Sequence, residues 1–445
     1  MVVTPVQSGP SAVVGLEPAV GYRELLRLRY TVRLLGSTLT GRLPNAMAPS
    51  AVLMAAAQER GSLAAGGGLA GAYLVAFAVG QPVLGRCADR FGFVLPLLGG
   101  AVCAAACLGA LAWFGTASLP LALAWTIAAG LFNPPLEGCL RVLWPTVLPG
   151  SQAARAAYLR VAYALDNGSQ EAVYVVGPLL AGALAALSPQ AALGGTALLG
   201  LGGAFSLGCS RPARVWVPAC TGGRGRWLGP LASPAVQGLL VTMVCAGTAV
   251  GALRVCALAH AQHSGALWLR GALPTLFSLG GLVGGLLYGA RGWWGAPVQH
   301  LRLLAVGGAV AWLPMLALPT PGLAALLVTL PGVCFTTMLC VGCLLLNAAA
   351  PPGTGAEAFG WLIAAVNAGL ALGSAVAGMA GGSYAVCLLA AAAAAAVLAA
   401  TGGRLQGRHG AVPLRPCSGR GGLAARDAGT GTEVTAVGSK GSNAA

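Results

Sequence analysis

Charge is what this sequence has least of. Only 8% of its 445 residues are Asp, Glu, Lys or Arg and 57% are hydrophobic, against about 25% charged in a soluble domain. With a mean hydropathy of +0.80, a large water-soluble domain is excluded and a membrane chain is implied. Lysine is rarer still. The one lysine is Lys440, so a phosphate-binding loop, which needs a lysine beside its glycines, is excluded, and ATP-driven chemistry with it. GGGLAG at 66–71 fits Gly-x-Gly-x-x-Gly literally, but no strand precedes it, and close helix packing is the expected use of its glycines. The four histidines, His260, His263, His300 and His409, form no catalytic spacing, and a solvated outer loop is the default setting for His260 and His263. The 13 cysteines are mostly scattered through apolar runs, and Cys340-x-x-Cys343 has no second pair. No metal, cofactor or enzymatic activity is therefore expected.

What is present is a succession of apolar runs. They lie near 33–56, 64–84, 94–114, 119–140, 161–186 and 190–209, and again near 233–257, 268–289, 303–319, 322–346, 358–380 and 383–402. Each approaches the ~20 residues that cross a bilayer. The chain is thus expected to be all-α and integral to the membrane, with 12 transmembrane helices in two six-helix bundles. The bundles would span 32–209 and 232–402, joined by a cytoplasmic linker at 210–231. Residues 1–31 hold Glu17, Arg23, Glu24, Arg27 and Arg29 without a short apolar core, so they read as a cytoplasmic leader and not a signal peptide. Residues 403–445 are Gly-rich and basic and are expected to be a disordered cytoplasmic tail.

With both termini placed in the cytoplasm, 21 of the 25 Lys and Arg residues fall on the inner side, while the outer loops hold Arg60, with Arg254 and Arg270 near that boundary. This is the asymmetry of membrane topology, and it accounts for the net charge of +15 without any nucleic-acid partner. Arginine outnumbers lysine 24 to 1 and Ala and Gly are abundant, which suggests a GC-rich bacterial source and hence an inner-membrane location.

The stretch GRCADRFG, 85–92, gathers three charges into the short inner loop expected between the second and third runs. Gly85 is expected to end one helix and Gly92 to turn the chain into the next, while Asp89 is suited to accept hydrogen bonds at a helix N-terminus or to pair with an arginine. A positive-inside anchor is the plain alternative. The pattern Gly85-x-x-x-Asp89-Arg90-x-Gly92 resembles the signature loop of the major facilitator superfamily, although Phe93 and Val94 stand where basic residues usually follow. The resemblance extends to the layout of nearly the whole chain. A repeat agrees with it: Gly80 and Gly85 recur as Gly284 and Gly289, each 204 residues later. It implies carriers that rock two bundles about a central site, with this loop latching the cytoplasmic side against the fourth and eleventh helices. Arg141, and the ladder Gly369, Gly373 and Ala377, are the candidate contacts.

Polar residues inside the apolar runs are costly and so point to function. Arg42, followed by Pro44 and Asn45, lies near the middle of the first run, and Glu137 follows Pro134 and Pro135, which should break or kink the fourth helix. The richest stretch is YALDNGSQEAVYVVGPLLAG. Asn167, Gln170 or Glu171, and Tyr174 share a helical face expected to look into the bundle. Asp166 and Glu171 either join that pathway or pair with inner-loop arginines such as Arg155 or Arg160. Glu171, deeper in the run, is the candidate proton site, with Arg42 as its candidate partner. Arg254 reads foremost as an outer-boundary snorkeller. Gly177-Pro178-x-x-Ala181-Gly182 resembles the later part of a fifth-helix packing motif of proton-coupled exporters. Their mid-helix arginine in span four has no counterpart in AWTIAAGLFNPP, and Arg42 is the candidate substitute. The resemblance therefore implies a monomeric secondary carrier handling a small organic molecule and protons, with efflux ahead of uptake by symport. A non-transporting membrane scaffold or sensor is the reading outside transport.

Overall fold

The computed structural model describes residues 20–116, 118–218, 228–291 and 295–406. Most of the leader, Arg224 and Arg226 of the linker, and the tail beyond 406 lie outside the described residues, as does the whole of a second unit, Ala411–Ala445.

Where described, the chain is helical. A short α1 (Tyr22–Arg27) is followed by α2 (Thr31–Arg60), α3 (Leu63–Phe91) and α4 (Val94–Phe114). Then come α5 (Leu119–Leu131), α6 (Leu136–Val147), α7 (Gln152–Ala185), α8 (Pro189–Gly208) and the short α9 (Arg211–Val215). The second half runs through α10 (Pro234–Ser264), α11 (Leu269–Ala290), α12 (Pro297–Trp312), α13 (Pro321–Leu327), α14 (Thr329–Ala349), α15 (Gly355–Met379) and α16 (Ala385–Gln406). Ten segments of the described residues are long and apolar enough to cross a membrane, two of them joining α5 with α6 and α13 with α14. Helices α2 and α7 have the length, at 30 and 34 residues, but carry Arg33 and Arg42, and Arg155, Arg160, Asp166 and Glu171.

Three sequence expectations are corrected here. GRCADRFG is not a loop. Helix α3 continues through it to Phe91 and ends only at Gly92, whose φ of 86° suits a residue without a side chain. Gly85 therefore does not end a helix. It lies within one because a Cβ there would come within 2.6 Å of the Ala356 carbonyl oxygen on α15. Helix α7 starts at Gln152, well before the apolar run, because Ser151 caps it by accepting from the Ala154 amide. The glycines of GGGLAG are not a packing seam: Gly66 abuts Leu53, but Gly67, Gly68 and Gly71 face open space.

The expected break at Pro134 and Pro135 is present and separates α5 from α6. Proline removes donors and the break exposes carbonyls. The surroundings answer this: the Gln81 side-chain amide donates to the Asn133 backbone carbonyl at 3.2 Å, and the Asn133 side-chain amide donates to the Tyr73 hydroxyl at 2.7 Å. The break turns α6 so that Glu137 and Arg141 are buried.

Helix pairings recur along the chain. In the first half α2 packs on α7 and α8, α3 on α5, and α4 on α8; in the second, α10 packs on α15 and α16, α11 on α14, and α12 on α16. Between halves, α3 meets α15 and α11 meets α7. The repeated glycines sit at matching contacts. Gly80 lies against Leu131 of α5 and Gly284 against Val333 of α14, while Gly85 touches Ala356 of α15 and Gly289 touches Ala164 of α7. In lipid, such close backbone approach replaces hydrophobic burial as the source of helix association.

Candidate functional site

Helices α2, α6 and α7 bring two arginines and two carboxylates together. Asp166 on α7, fully buried, lies 2.6 Å from the Arg42 Nη2 of α2, an ion contact off the hydrogen-bond direction, and accepts from the Arg141 Nε of α6 at 2.8 Å. Glu137 is 3.5 Å from Arg141, one turn away on α6, and 3.8 Å from Arg42. The Asn167 side-chain Oδ1 accepts from Arg141 at 3.0 Å and the Gln170 side-chain Oε1 accepts from Arg42 at 3.4 Å. Two cations facing two anions make the cluster neutral, the condition under which buried charge is tolerated.

The cluster also reaches the second half of the chain. The Arg141 guanidinium lies 5.7 Å from the centre of the Phe359 ring on α15, and the Asn167 amide contacts Cys343 Sγ on α14 at 3.7 Å. Local sequence explains why α2 comes so near α7. Gly177 has no Cβ to strike Ala46, whereas Gly182 makes only an ordinary contact with Met54 and Pro178 is exposed along a cavity wall.

Beside this cluster lies a cavity of about 120 Å³ walled by Glu137, Arg141, Asn167, Gln170, Glu171, Tyr174 and Arg254, with Phe277, Phe335 and Leu362 among the apolar residues. It adjoins a larger space of about 1640 Å³, to which Asn45, Tyr174 and Arg254 also contribute. The face read from Asn167, Gln170, Glu171 and Tyr174 thus borders one cavity. Its expected charge pairing differs. Arg42 pairs with Asp166 and Glu137, while Glu171 accepts from the Thr336 hydroxyl of α14 at 2.9 Å. Asp166 meets Arg42 and Arg141, not Arg155 or Arg160. Arg254 projects along both cavities.

A second site joins the two halves at the end of α3. Both carboxylate oxygens of Asp89 accept backbone amides in the first turn of α15, from Ala356 at 3.0 Å and Glu357 at 2.8 Å. A carboxylate there meets unpaired N–H groups and the positive end of the helix dipole. Arg86 reaches Glu357 with two nitrogens, at 2.9 and 2.7 Å. The expected partners are corrected: Arg141 is committed to the inner cluster, and Gly369 and Gly373 pack on Val244 and Thr248 of α10. Arg90 is exposed. Glu357 was missed by the sequence reading, although an acid directly before the apolar run AFGWLIAAV was its signal. His260 is likewise not in a solvated loop. It is buried in α10, within 3.2 Å of the Tyr384 hydroxyl and 3.1 Å of the Pro319 carbonyl. Among the described residues no group of three metal-ligating side chains occurs.

Neither a protein-family model nor a curated protein matches the sequence. Solved structures do match. A bacterial homologue of the iron transporter ferroportin, in its outward-facing state, aligns over 84% of this chain and 100% of its own at TM-score 0.67 and 15% identity. The human organic anion transporter MFSD10 aligns over 84% and 99% at TM-score 0.61 and 17% identity. The Escherichia coli fucose:proton symporter aligns over 84% and 98% at TM-score 0.59 and 13% identity. These likenesses show the fold: this chain shares with these transporters an all-helical, multi-pass membrane architecture, the one its sequence resemblance led us to expect.

Proposed function

We propose that the chain is a secondary carrier and not an enzyme, moving a small organic molecule across a bacterial inner membrane by alternating access, with efflux coupled to protons. The observation that carries this reading is a pair of sites, one at the cavities and one at the contact of α3 with α15. One is a polar cavity within apolar helices, and the other is a contact whose Arg86 and Glu357 also border the larger cavity beside it.

In this reading 12 helices cross the membrane, α2 and α7 being the two crossings too polar to be recognised by composition. They form bundles over 32–209 and 232–402, with a linker at 210–231 and both termini cytoplasmic. The recurring helix pairings support the division. Asp89, Arg86 and Glu357 form the cytoplasmic gate, with Gly85 and Gly138 allowing α15 to approach α3 and α6. Closure there gives an outward-facing state, the state in which the ferroportin homologue was solved.

Glu171 is the proton site. Its carboxyl group lies where α7 of one bundle meets α14 of the other, and a hydroxyl partner can serve either protonation state, whereas the arginine-bound Asp166 is held as an anion. A proton there biases the carrier only if it binds the two states unequally, which contacts drawn from both bundles provide.

Uptake into inverted membrane vesicles from expressing cells, with a panel of labelled organic solutes and an acid interior, tests the function. Accumulation of one solute, absent from control vesicles, is the expected result. Accumulation only in right-side-out vesicles would reverse the direction, and none in either with folded protein present would favour a scaffold or sensor.

A further inference from the structure

Resting on the carrier reading above, we propose that the cavity takes an amphiphilic organic anion whose acidic group pairs with Arg254. Each of the other charged residues around the two cavities has a polar partner inside the protein. Glu137 and Arg141 belong to the neutral cluster, Arg86 is bound to Glu357, and Glu171 is bound to Thr336. Arg254 differs. Among the described residues it makes no hydrogen bond or ion pair, yet it borders both the small and the large cavity.

Its position is fixed by close packing of the backbone that carries it. Gly251, one turn earlier on α10, lies directly against Leu370 of α15, and the Ser374 hydroxyl donates to the Gly251 carbonyl at 3.0 Å. A guanidinium so placed has no protein counter-ion and presents a planar fork suited to carboxylate, sulfonate or phosphate oxygens. Tyr174, Ser278 and Asn367 border the same small cavity and add neutral donors.

The remainder of the space selects the rest of the ligand. The larger cavity is walled by Leu74, Val75, Val241, Val244, Leu370 and Trp361, which offer a hydrocarbon body apolar contact and little to a sugar-like polyol. A cation would meet Arg254 as a like charge, and the carboxylate on the same small cavity, Glu171, already accepts from Thr336. A neutral molecule would leave Arg254 without a partner. An anionic head with an apolar tail satisfies both parts of the cavity.

Equilibrium binding to the full chain in lipid nanodiscs tests this with octane-1-sulfonate, whose charge does not change with pH, against octyltrimethylammonium and octan-1-ol. Each isotherm is corrected with empty nanodiscs, and every variant is checked by thermal unfolding. The sulfonate should bind at least ~10-fold more tightly than either analogue. Arg254→Gln should remove that preference and Arg254→Lys should retain most of it. Equal binding of sulfonate and ammonium, or sulfonate binding unchanged in the folded Arg254→Gln protein, overturns the assignment. The carrier reading fails separately. Arg254-dependent binding without movement of any solute in vesicles would remove transport and leave this site standing, whereas Arg254-independent transport of an organic cation would remove the site and leave transport standing.

Discussion

Asp166 accepts a hydrogen bond of 2.8 Å from Arg141 across the α6–α7 contact, and both side chains are almost wholly buried. With Arg42 on its other oxygen, Asp166 faces two cations at once, and Glu137 supplies the second negative charge. Asp166→Asn should therefore strand positive charge and destabilise the protein by roughly 3–5 kcal/mol. Thermal unfolding in nanodiscs measures this. Adding Arg42→Met restores equal numbers of opposite charges and should recover part of the loss. A variant as stable as the parent would contradict the charge-balance account.

The gate is expected to respond unequally to its two charged contacts. Asp89 is buried and holds two amides, so Asp89→Asn should lose roughly 1.5–3 kcal/mol of the closed contact and slow transport at least several-fold, with the protein folded and inserted. The Arg86 side chain is 40% exposed, where an ion pair contributes about 0–1 kcal/mol, so Arg86→Gln should have the milder effect. Transport rates of the two variants, normalised to inserted protein, check the order.

Glycines at open and closed positions of one helix should behave oppositely. Gly67→Ala on α3 meets open space and should be neutral or stabilise by about 0.5–1 kcal/mol through helix propensity. Gly85→Ala puts a methyl group 2.6 Å from the Ala356 carbonyl oxygen, and pushing α15 away should cost roughly 1–3 kcal/mol and weaken the gate. Unfolding midpoints for the pair, together with the transport rate of Gly85→Ala, test the distinction.

The sequence made some of this legible and left the rest to tertiary contact. Apolar runs located the helices because each needs about 20 such residues, and Pro134 and Pro135 marked the α5–α6 break because proline cannot continue the hydrogen-bond ladder. Charges inside those runs located the cavity for the same energetic reason: Arg42, Glu137, Asp166 and Glu171 all lie at or beside it. Partners were another matter. Arg42 and Asp166 are 124 positions apart and meet only because Gly177 lets α7 close on Ala46, a register no local pattern encodes. Helix ends were misread where polar residues extend a helix beyond its apolar part. That is why GRCADRFG looked like a loop and why Glu357, in the first turn of α15, escaped notice.

The account rests most heavily on Glu171 as the group that couples protons to alternation. In proteoliposomes loaded with the solute found in the vesicle screen, Glu171→Gln should fold and retain solute exchange across the membrane. It should lose accumulation driven by a pH gradient, because a permanently neutral side chain no longer takes up and releases the proton. Gradient-driven accumulation at the parent rate in that variant would contradict the account.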